Sequence, residues 1–457
     1  MRLLRLLPLV IGVLACEPAT PPNILLVTLD TTRPDRLGVY GAANPTPTLE
    51  RFAQDAVVYE RAYASSSWTL PSHASLFTGL LPIQHGAQTA ADGNTRALGY
   101  TVRPLGERFE TLAERLHAAG YRTAAFVGGP ALRRDLGLAQ GFEQYGDSLH
   151  GLEVFGGRRA AAVVDDAIAA LQGFESSPWF LFVNLFDPHA PYDPPAPYNR
   201  GLEKVDELRL NQTRIDRLVA GRPVAPEPWE VEANAALLAR YDAEIAYVDA
   251  ELARLLAAAA AVSGGARTLV AITSDHGESF GEHDYFSHGA HLYEDNVRVP
   301  LLVRWPDGRA AGTRVAAPVP NHALFAEILS AAGLPVPASA PRLDGSAPIF
   351  TEVGASDANV RMFGDFFDRS LRALYAFPLK LIESSRGRLE LYDLEADPGE
   401  QRDLAAGDAK RAAALRAEVA RRAATLPPLY EDAARAEMSE ETERALRALG
   451  YLGDEER

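Results

Sequence analysis

The sequence predicts an α/β fold: a doubly wound, mostly parallel sheet flanked by helices, with a smaller C-terminal α+β unit. Three observations predict it. Near-continuous apolar runs such as NILLVTL (23–29) and TLVAIT (268–273) end abruptly in Asp30 and in Ser274-Asp275, as strands buried on both faces do. These runs alternate with helical stretches, which places helices on both sides of a parallel sheet. Beyond about Leu343 the alternation stops, and short strand-like segments follow one another.

Residues 1–15 read as an export signal. Arg2 and Arg5 precede an apolar run from Leu6 to Ala15 that is too short to span a bilayer, which takes about 20 residues. Val13, Leu14 and Ala15 before Cys16 resemble the lipobox of bacterial lipoproteins. That resemblance implies a lipid anchor on Cys16 and a bacterial cell-envelope location, in the periplasm or at the outer membrane. An ordinary secretory signal with a chance cysteine is the alternative reading. The remaining chain divides into an α/β domain, 16–345, and a C-terminal subdomain, 346–457, with short antiparallel strands and a helical tail.

Within the α/β domain, 48–54 reads as a short helix and VVYERAY (57–63) as a strand. Residues 71–78 open a helix, with Pro71 in its first turn and Gly79 past its end. A helix at 105–119, a strand at 123–127, a helix at 160–171 and a strand at 179–186 follow. The segment 191–228 is rich in proline and charge without clean periodicity, which predicts an irregular insertion beside the active site. Residues 236–260 are strongly helical and lead into TLVAITSD (268–275), then the strand VPLLVRWP (299–306). FTEV, YAFPLKLIE and RLELYDLEADP predict the C-terminal strands, and 405–449 predicts a helical tail of good intrinsic propensity.

The formal charge of −16, with no concentrated basic run, excludes a nucleic-acid partner. It permits a small anionic substrate, because a bound cation reverses the sign locally. Cys16 is the single cysteine, so disulfides and thiolate metal sites are excluded.

Asp30, and Asp275 with His276, stand at the ends of two strands that can meet at one sheet edge. Two carboxylates and an imidazole suit a divalent cation (zinc, manganese, magnesium or calcium) and leave a position open. Structural capping is the alternative. The string SDHGESFGEH (274–283) supports ligation, since its glycines allow a tight path among several ligand-type side chains. Thr69 precedes the 71–78 helix, where backbone N–H groups favour an incoming anion. Its hydroxyl needs an activator, which coordination to the same cation supplies. Ser67 and Ser72 are competing hydroxyls, and a plain helix cap is the structural alternative for Thr69.

NILLVTLDTTRPDRLGVYG, TPTLERFAQDAVVYERAYA, TLPSHASLFTG, ITSDHGESFGEH, LYEDNVRVPLLVRWP and LYDLEADPGEQRDLA, in this order from 23 to 405, resemble the sulfatase family of the alkaline-phosphatase-like superfamily. The resemblance implies Asp30, Asp275 and His276 as metal ligands and group transfer through a covalent intermediate. Thr69 stands where sulfatases carry the Cys or Ser that becomes formylglycine, and His73 where that motif has its Arg. Thr31 replaces a second Asp, and VGGPALRR (127–134) lacks the Lys and His of the usual sulfate-binding segment. Threonine-bearing relatives include phosphoethanolamine transferases and some phosphonate and phosphodiester hydrolases.

Among these relatives His288, in FSHG, matches a histidine facing the phosphoryl group, and His189, in FDPHAPYDPP, resembles a substrate-side histidine. Both, with His73, are catalytic candidates, and a second metal shared with His189 or His288 fits the same pattern. His283 and His291 lie in the same motifs, either in contact with the site or behind it. The resemblance thus implies a metal-dependent hydrolase of phosphoric esters, phosphodiester or phosphonate monoester, acting through a threonyl-phosphate. A sulfate ester hydrolase without formylglycine, or a non-catalytic cell-surface protein for anionic ligands, are the alternatives.

Overall fold

The computed structural model describes residues 21–89, 102–148, 157–174, 178–221, 225–262, 267–355, 359–360, 364–430 and 438–448. The leader at 1–15, Cys16 and the end of the tail lie outside the described residues. Strands β1 (Asn23–Leu29), β2 (Val57–Tyr63), β3 (Arg122–Val127), β4 (Gln144–Gly146), β5 (Trp179–Leu185), β6 (Thr268–Thr273), β7 (Arg298–Arg304), β8 (Arg314–Val315) and β9 (Val319–Pro320) form one sheet. Its order is β8-β2-β7-β6-β1-β5-β3-β4, with β9 also on β2. The run from β6 to β4 is parallel throughout. β7 lies antiparallel between β6 and β2, so the sheet is mixed but mostly parallel.

The central strand shows why the apolar runs fold this way. Ile24 and Leu26 face one buried cluster while Leu25, Val27 and Leu29 face the other, because side chains alternate across a strand. The helices longer than one turn are, among the described residues, α1 (Pro47–Ala53), α2 (Thr69–Thr78), α3 (Leu112–Ala118), α4 (Ala160–Gln172), α5 (Glu207–Ala220), α6 (Pro228–Val262), α7 (Leu324–Ala331), α8 (Ala409–Thr425) and α9 (Glu440–Ala448). Leu70 and Phe77 of α2, Leu112 of α3 and Leu324 of α7 cover the first face. Leu49 of α1, Val163 of α4 and Ile245 of α6 cover the second. Among the described residues no helix is long and apolar enough to cross a membrane.

β10 (Phe350–Val353), β11 (Leu371–Ala376), β12 (Leu379–Ser384) and β13 (Leu389–Asp393) form a separate antiparallel sheet in sequence order. Phe350, Leu374 and Leu381 on one face pack against Val419 of α8. Leu371, Ala373 and Ile382 on the other pack against Tyr285, Leu292 and Tyr293, in the segment that follows β6.

Three expectations change in detail. The helix expected at 105–119 is only α3, because Thr111 caps it: its Oγ1 accepts from Glu114 N at 3.2 Å while Glu114 Oε2 accepts from Thr111 N at 2.7 Å. The insertion 191–228 is not irregular throughout, since it contains α5, capped by Asp206 and ended at the left-handed Gly221 (φ 61°). Thr69 is the first residue of α2 rather than a residue ahead of it; the capping position falls to Trp68, which makes no side-chain cap.

Candidate active site

Parallel pairing of β1 with β6 sets Thr28 beside Thr273, so the chain leaves both strands at one edge and carries Asp30 and Asp275 there together. One carboxylate oxygen from each, with one ring nitrogen of His276, lie within 4.8 Å of one another. All three residues are fully buried. α2 brings Thr69 to the same point, with Oγ1 3.1 Å from His276 Nε2.

The donor set fits a divalent cation. Asp30 Oδ1 and Asp275 Oδ2 are buried without a hydrogen-bond partner, an arrangement that costs free energy unless a positive charge sits between them. His276 Nδ1 donates to Gly277 O at 2.9 Å, which turns the Nε2 lone pair toward Asp275 and Thr69. Burial, then the charge on Asp275, raises the Asp30 carboxyl well above the ordinary range. Burial pushes Asp275 up as well, but His276, His73 and His288 beside it outweigh this and leave it below its usual value. Burial holds His276 below its ordinary value, in the neutral form that can coordinate.

The surrounding residues fix this cluster. Asn184, at the end of β5, donates from Nδ2 to Asp30 Oδ2 at 3.0 Å and to Thr28 Oγ1 at 3.2 Å. Its Oδ1 accepts from Gly128 N and Gly129 N, which ties in the VGGPALRR segment. Thr31 takes φ 50°, a strained conformation for a β-branched residue. Its amide donates to Asp275 Oδ1 at 3.2 Å, while its hydroxyl donates to Pro188 O at 2.8 Å. The residue that replaces the second Asp thus turns its side chain to the loop carrying His189.

The two substrate-side candidates face each other beside the cluster. The ring of His288 lies 4.4 Å from that of His276 and 4.9 Å from that of His189. His189 stacks on Phe186 at 4.5 Å. Its loop is clamped by Arg159, which pairs with Asp187 and Glu244 at 3.4 Å and donates to Asp193 O at 2.6 Å. Burial, then the neighbouring His288, lowers His189 to about 3, and burial lowers His288 to about 4. His73 lies behind the threonine instead: Nδ1 donates to Thr69 O at 2.8 Å, Nε2 accepts from Thr28 Oγ1 at 3.0 Å, and Asp275 Oδ2 is 3.6 Å away. Both its nitrogens are engaged with the scaffold, so it positions Thr69 and Asp275. Ser72 donates to Asp275 O. His283 stacks on Tyr293 at 3.8 Å and His291 Nε2 meets Ser279 Oγ at 2.8 Å, so neither belongs to the cluster.

Glu278 and Asn184 complete the site without having been singled out by the sequence. Glu278 Oε1 lies 3.0 Å from His288 Nδ1 with both side chains buried. Burial raises its carboxyl to about 7. The only signal for it was its place two residues beyond His276 in a string dense in polar groups.

Carboxylates, an imidazole and a helix-borne hydroxyl gathered at one sheet edge are the makings of an α/β metallohydrolase. Comparison with known proteins makes the class specific. The sulfatase family matches residues 22–334, and the N-sulphoglucosamine sulphohydrolase C-terminal region matches 281–426. The chain belongs to the sulfatase family of the alkaline-phosphatase-like superfamily, and it is a hydrolase of that metal-dependent family. It is 25% identical over 424 residues to the ulvan-active sulfatase of Formosa agariphila, covering 85% of this chain and 78% of that one. It is also 25% identical over 341 residues to the arylsulfatase of Clostridium perfringens, covering 64% and 70%. The crystal structure of the phosphonate monoester hydrolase of Agrobacterium radiobacter superposes with a TM-score of 0.70 and 25% identity, over 89% of this chain and 95% of that one.

Proposed function

We propose that this hydrolase cleaves small anionic phosphoric esters, phosphodiesters or phosphonate monoesters, through a covalent phosphoryl group on Thr69. The observation that carries this reading is the Thr69 hydroxyl 3.1 Å from His276 Nε2 in a chain whose single cysteine is Cys16. Formylglycine arises from Cys or Ser, so residue 69 must act through its own oxygen. Asp30, Asp275, His276 and Thr69 would hold the divalent cation (zinc, manganese, magnesium or calcium), which supplies Lewis acidity to the nucleophile and the phosphoryl oxygens.

In this reading Thr69 Oγ1, its proton released to solvent as the site is loaded, attacks phosphorus opposite the leaving alcohol. The start of α2 faces the charge that grows on the phosphoryl oxygens. Glu278 and Ala190 O hold the Nδ1 protons of His288 and His189, so each imidazole takes up a proton at Nε2 as the anionic ester binds. His288 then gives its proton to the departing oxygen, and His189 donates to a non-bridging oxygen. Water then attacks the phosphothreonine from the vacated side, gives a proton to the now neutral His288, and regenerates Thr69. The run LLPLVIGVLAC supports an envelope location with Cys16 as the lipid anchor.

The sulfatase names of the sequence relatives favour a second reading, direct hydrolysis of sulfate esters at the same threonine. Turnover of matched aryl phosphodiester, phosphonate and sulfate esters separates the two, and mass spectrometry of the Thr69 peptide after a substrate quench identifies the transferred group. Thr69→Ala is expected to lose about 10³-fold or more in kcat while keeping its metal. Retained activity in that variant would remove Thr69 as nucleophile.

A further inference from the structure

A cavity of about 190 Å³ lies where the segment after β6 meets the C-terminal sheet, apart from the metal cluster. Leu371 and Ile382 form its apolar floor with Phe366, and Arg369, Arg386 and Arg388 form its polar side. Arg386 is paired with Asp368 at 3.2 Å and Arg388 with Glu390 at 2.9 Å. Arg369 is different. Its Nη1 donates to Phe366 O at 2.6 Å, its Nη2 donates to the Tyr285 hydroxyl, and its guanidinium lies 3.9 Å over the Phe366 ring. Among the described residues its charge is pinned by neutral groups at the cavity wall, without a carboxylate partner.

In a chain of formal charge −16, three guanidinium groups set against two carboxylates, Glu390 in the lining and Asp368 behind it, leave a local excess of one positive charge. A volume near 190 Å³ is that of a single ring, since a cavity of about 150 Å³ accepts benzene. Arginine's planar fork matches carboxylate, sulfate and phosphate oxygens in pairs. We propose that this cavity binds a six-membered ring bearing one such anionic group, the ring on Leu371 and Ile382 and the anion on Arg369. The site stands whether or not Thr69 is the nucleophile. His291 lines it and reaches Ser279 Oγ at 2.8 Å, next to Glu278 in the chain, so an occupant touches the segment that supports the catalytic edge.

Benzenesulfonate, a ring-sized anion with no ester to hydrolyse, is the probe, titrated calorimetrically into the full chain beside uncharged benzyl alcohol. Benzenesulfonate is expected to bind about tenfold or more tightly than benzyl alcohol, and Arg369→Gln to weaken it about tenfold. Arg388→Gln, at a rim side chain 62% exposed, is expected to weaken it several-fold without burdening the fold. Removing the metal with a chelator is expected to leave the affinity unchanged. Equal affinity for both rings, unchanged affinity in both variants, or loss of binding on chelation each overturns the proposal. Two sources of the ligand are told apart kinetically. Competition against a 4-carboxyphenyl ester but not the plain phenyl ester marks the cavity as holding part of the substrate. An equal change in turnover of both esters marks a separate effector.

Discussion

Glu278 shows how a residue outside the candidate ligand set would govern the proposed chemistry. Its carboxylate accepts the Nδ1 proton of His288 at 3.0 Å, which fixes the tautomer and ring plane of an imidazole within 4.4 Å of the His276 ring. A carboxamide at 278 can still accept that proton but cannot support positive charge on the ring. Glu278→Gln is therefore expected to lower kcat about 10–100-fold on esters with alkyl leaving groups, with KM little changed. On 4-nitrophenyl esters, whose leaving group departs without a proton, the loss should be small. A uniform loss across leaving groups would reduce Glu278 to a structural part. The candidate ligands, Asp30, Asp275 and His276, were legible because they follow the ends of two apolar runs, where register alone brings them together. Glu278 and Asn184 were not, since their roles depend on where a loop and a neighbouring strand point, and periodicity carries no such information.

At the level of elements, the strands were the most legible part: NILLVTL is β1 residue for residue, because burial on both faces leaves a near-continuous apolar run. Helices bounded by capping and sparse in apolar residues were not, as α5 shows, with only Leu210, Arg214 and Ile215 buried along its length. Joints between elements were hidden as well. Lys380, fully buried on β12, meets Glu400 Oε1 at 2.8 Å and Glu294 Oε1 at 3.1 Å. Glu294, just ahead of β7, also accepts from Tyr63 of β2 at 3.2 Å and from Tyr375 of β11 at 3.0 Å. This group of charges locks the antiparallel sheet to the main one. Lys380→Met leaves two carboxylates without their cation and is expected to cost about 3–5 kcal/mol in denaturant unfolding. Adding Glu400→Gln should recover part of that loss, because the uncompensated charge is the larger part of the cost. If the double variant is no better than the single, packing of the lysine stem is the dominant contribution instead.

Across the whole molecule, the fold gathers the carboxyl groups of Asp30, Asp275 and Glu278 at one sheet edge, in a chain already at −16; the anionic ester of the proposed reaction would arrive there. A cation held by Asp30, Asp275 and His276 would reconcile the two and would make folding and metal loading linked equilibria. The alternation of runs made the two-sheet plan legible from the sequence, but not the antiparallel insertion of β7 between β2 and β6, since strand direction leaves no trace in an apolar pattern. Without metal, burial and Asp275 hold the Asp30 carboxyl well above its ordinary value. The sign follows: the apo protein keeps this stability below the unfolded Asp value of about 3.9 and loses it as pH rises toward the raised folded value. Chelation is therefore expected to lower Tm by roughly 3–8 °C at pH 8 and by less at pH 5. Asp30→Asn removes the repulsion, so its apo form should melt above apo wild type at pH 8 and hardly respond to chelator. A wild-type Tm indifferent to chelation at both pH values would mean that the orphaned oxygens of Asp30 and Asp275 hold no cation that the fold depends on.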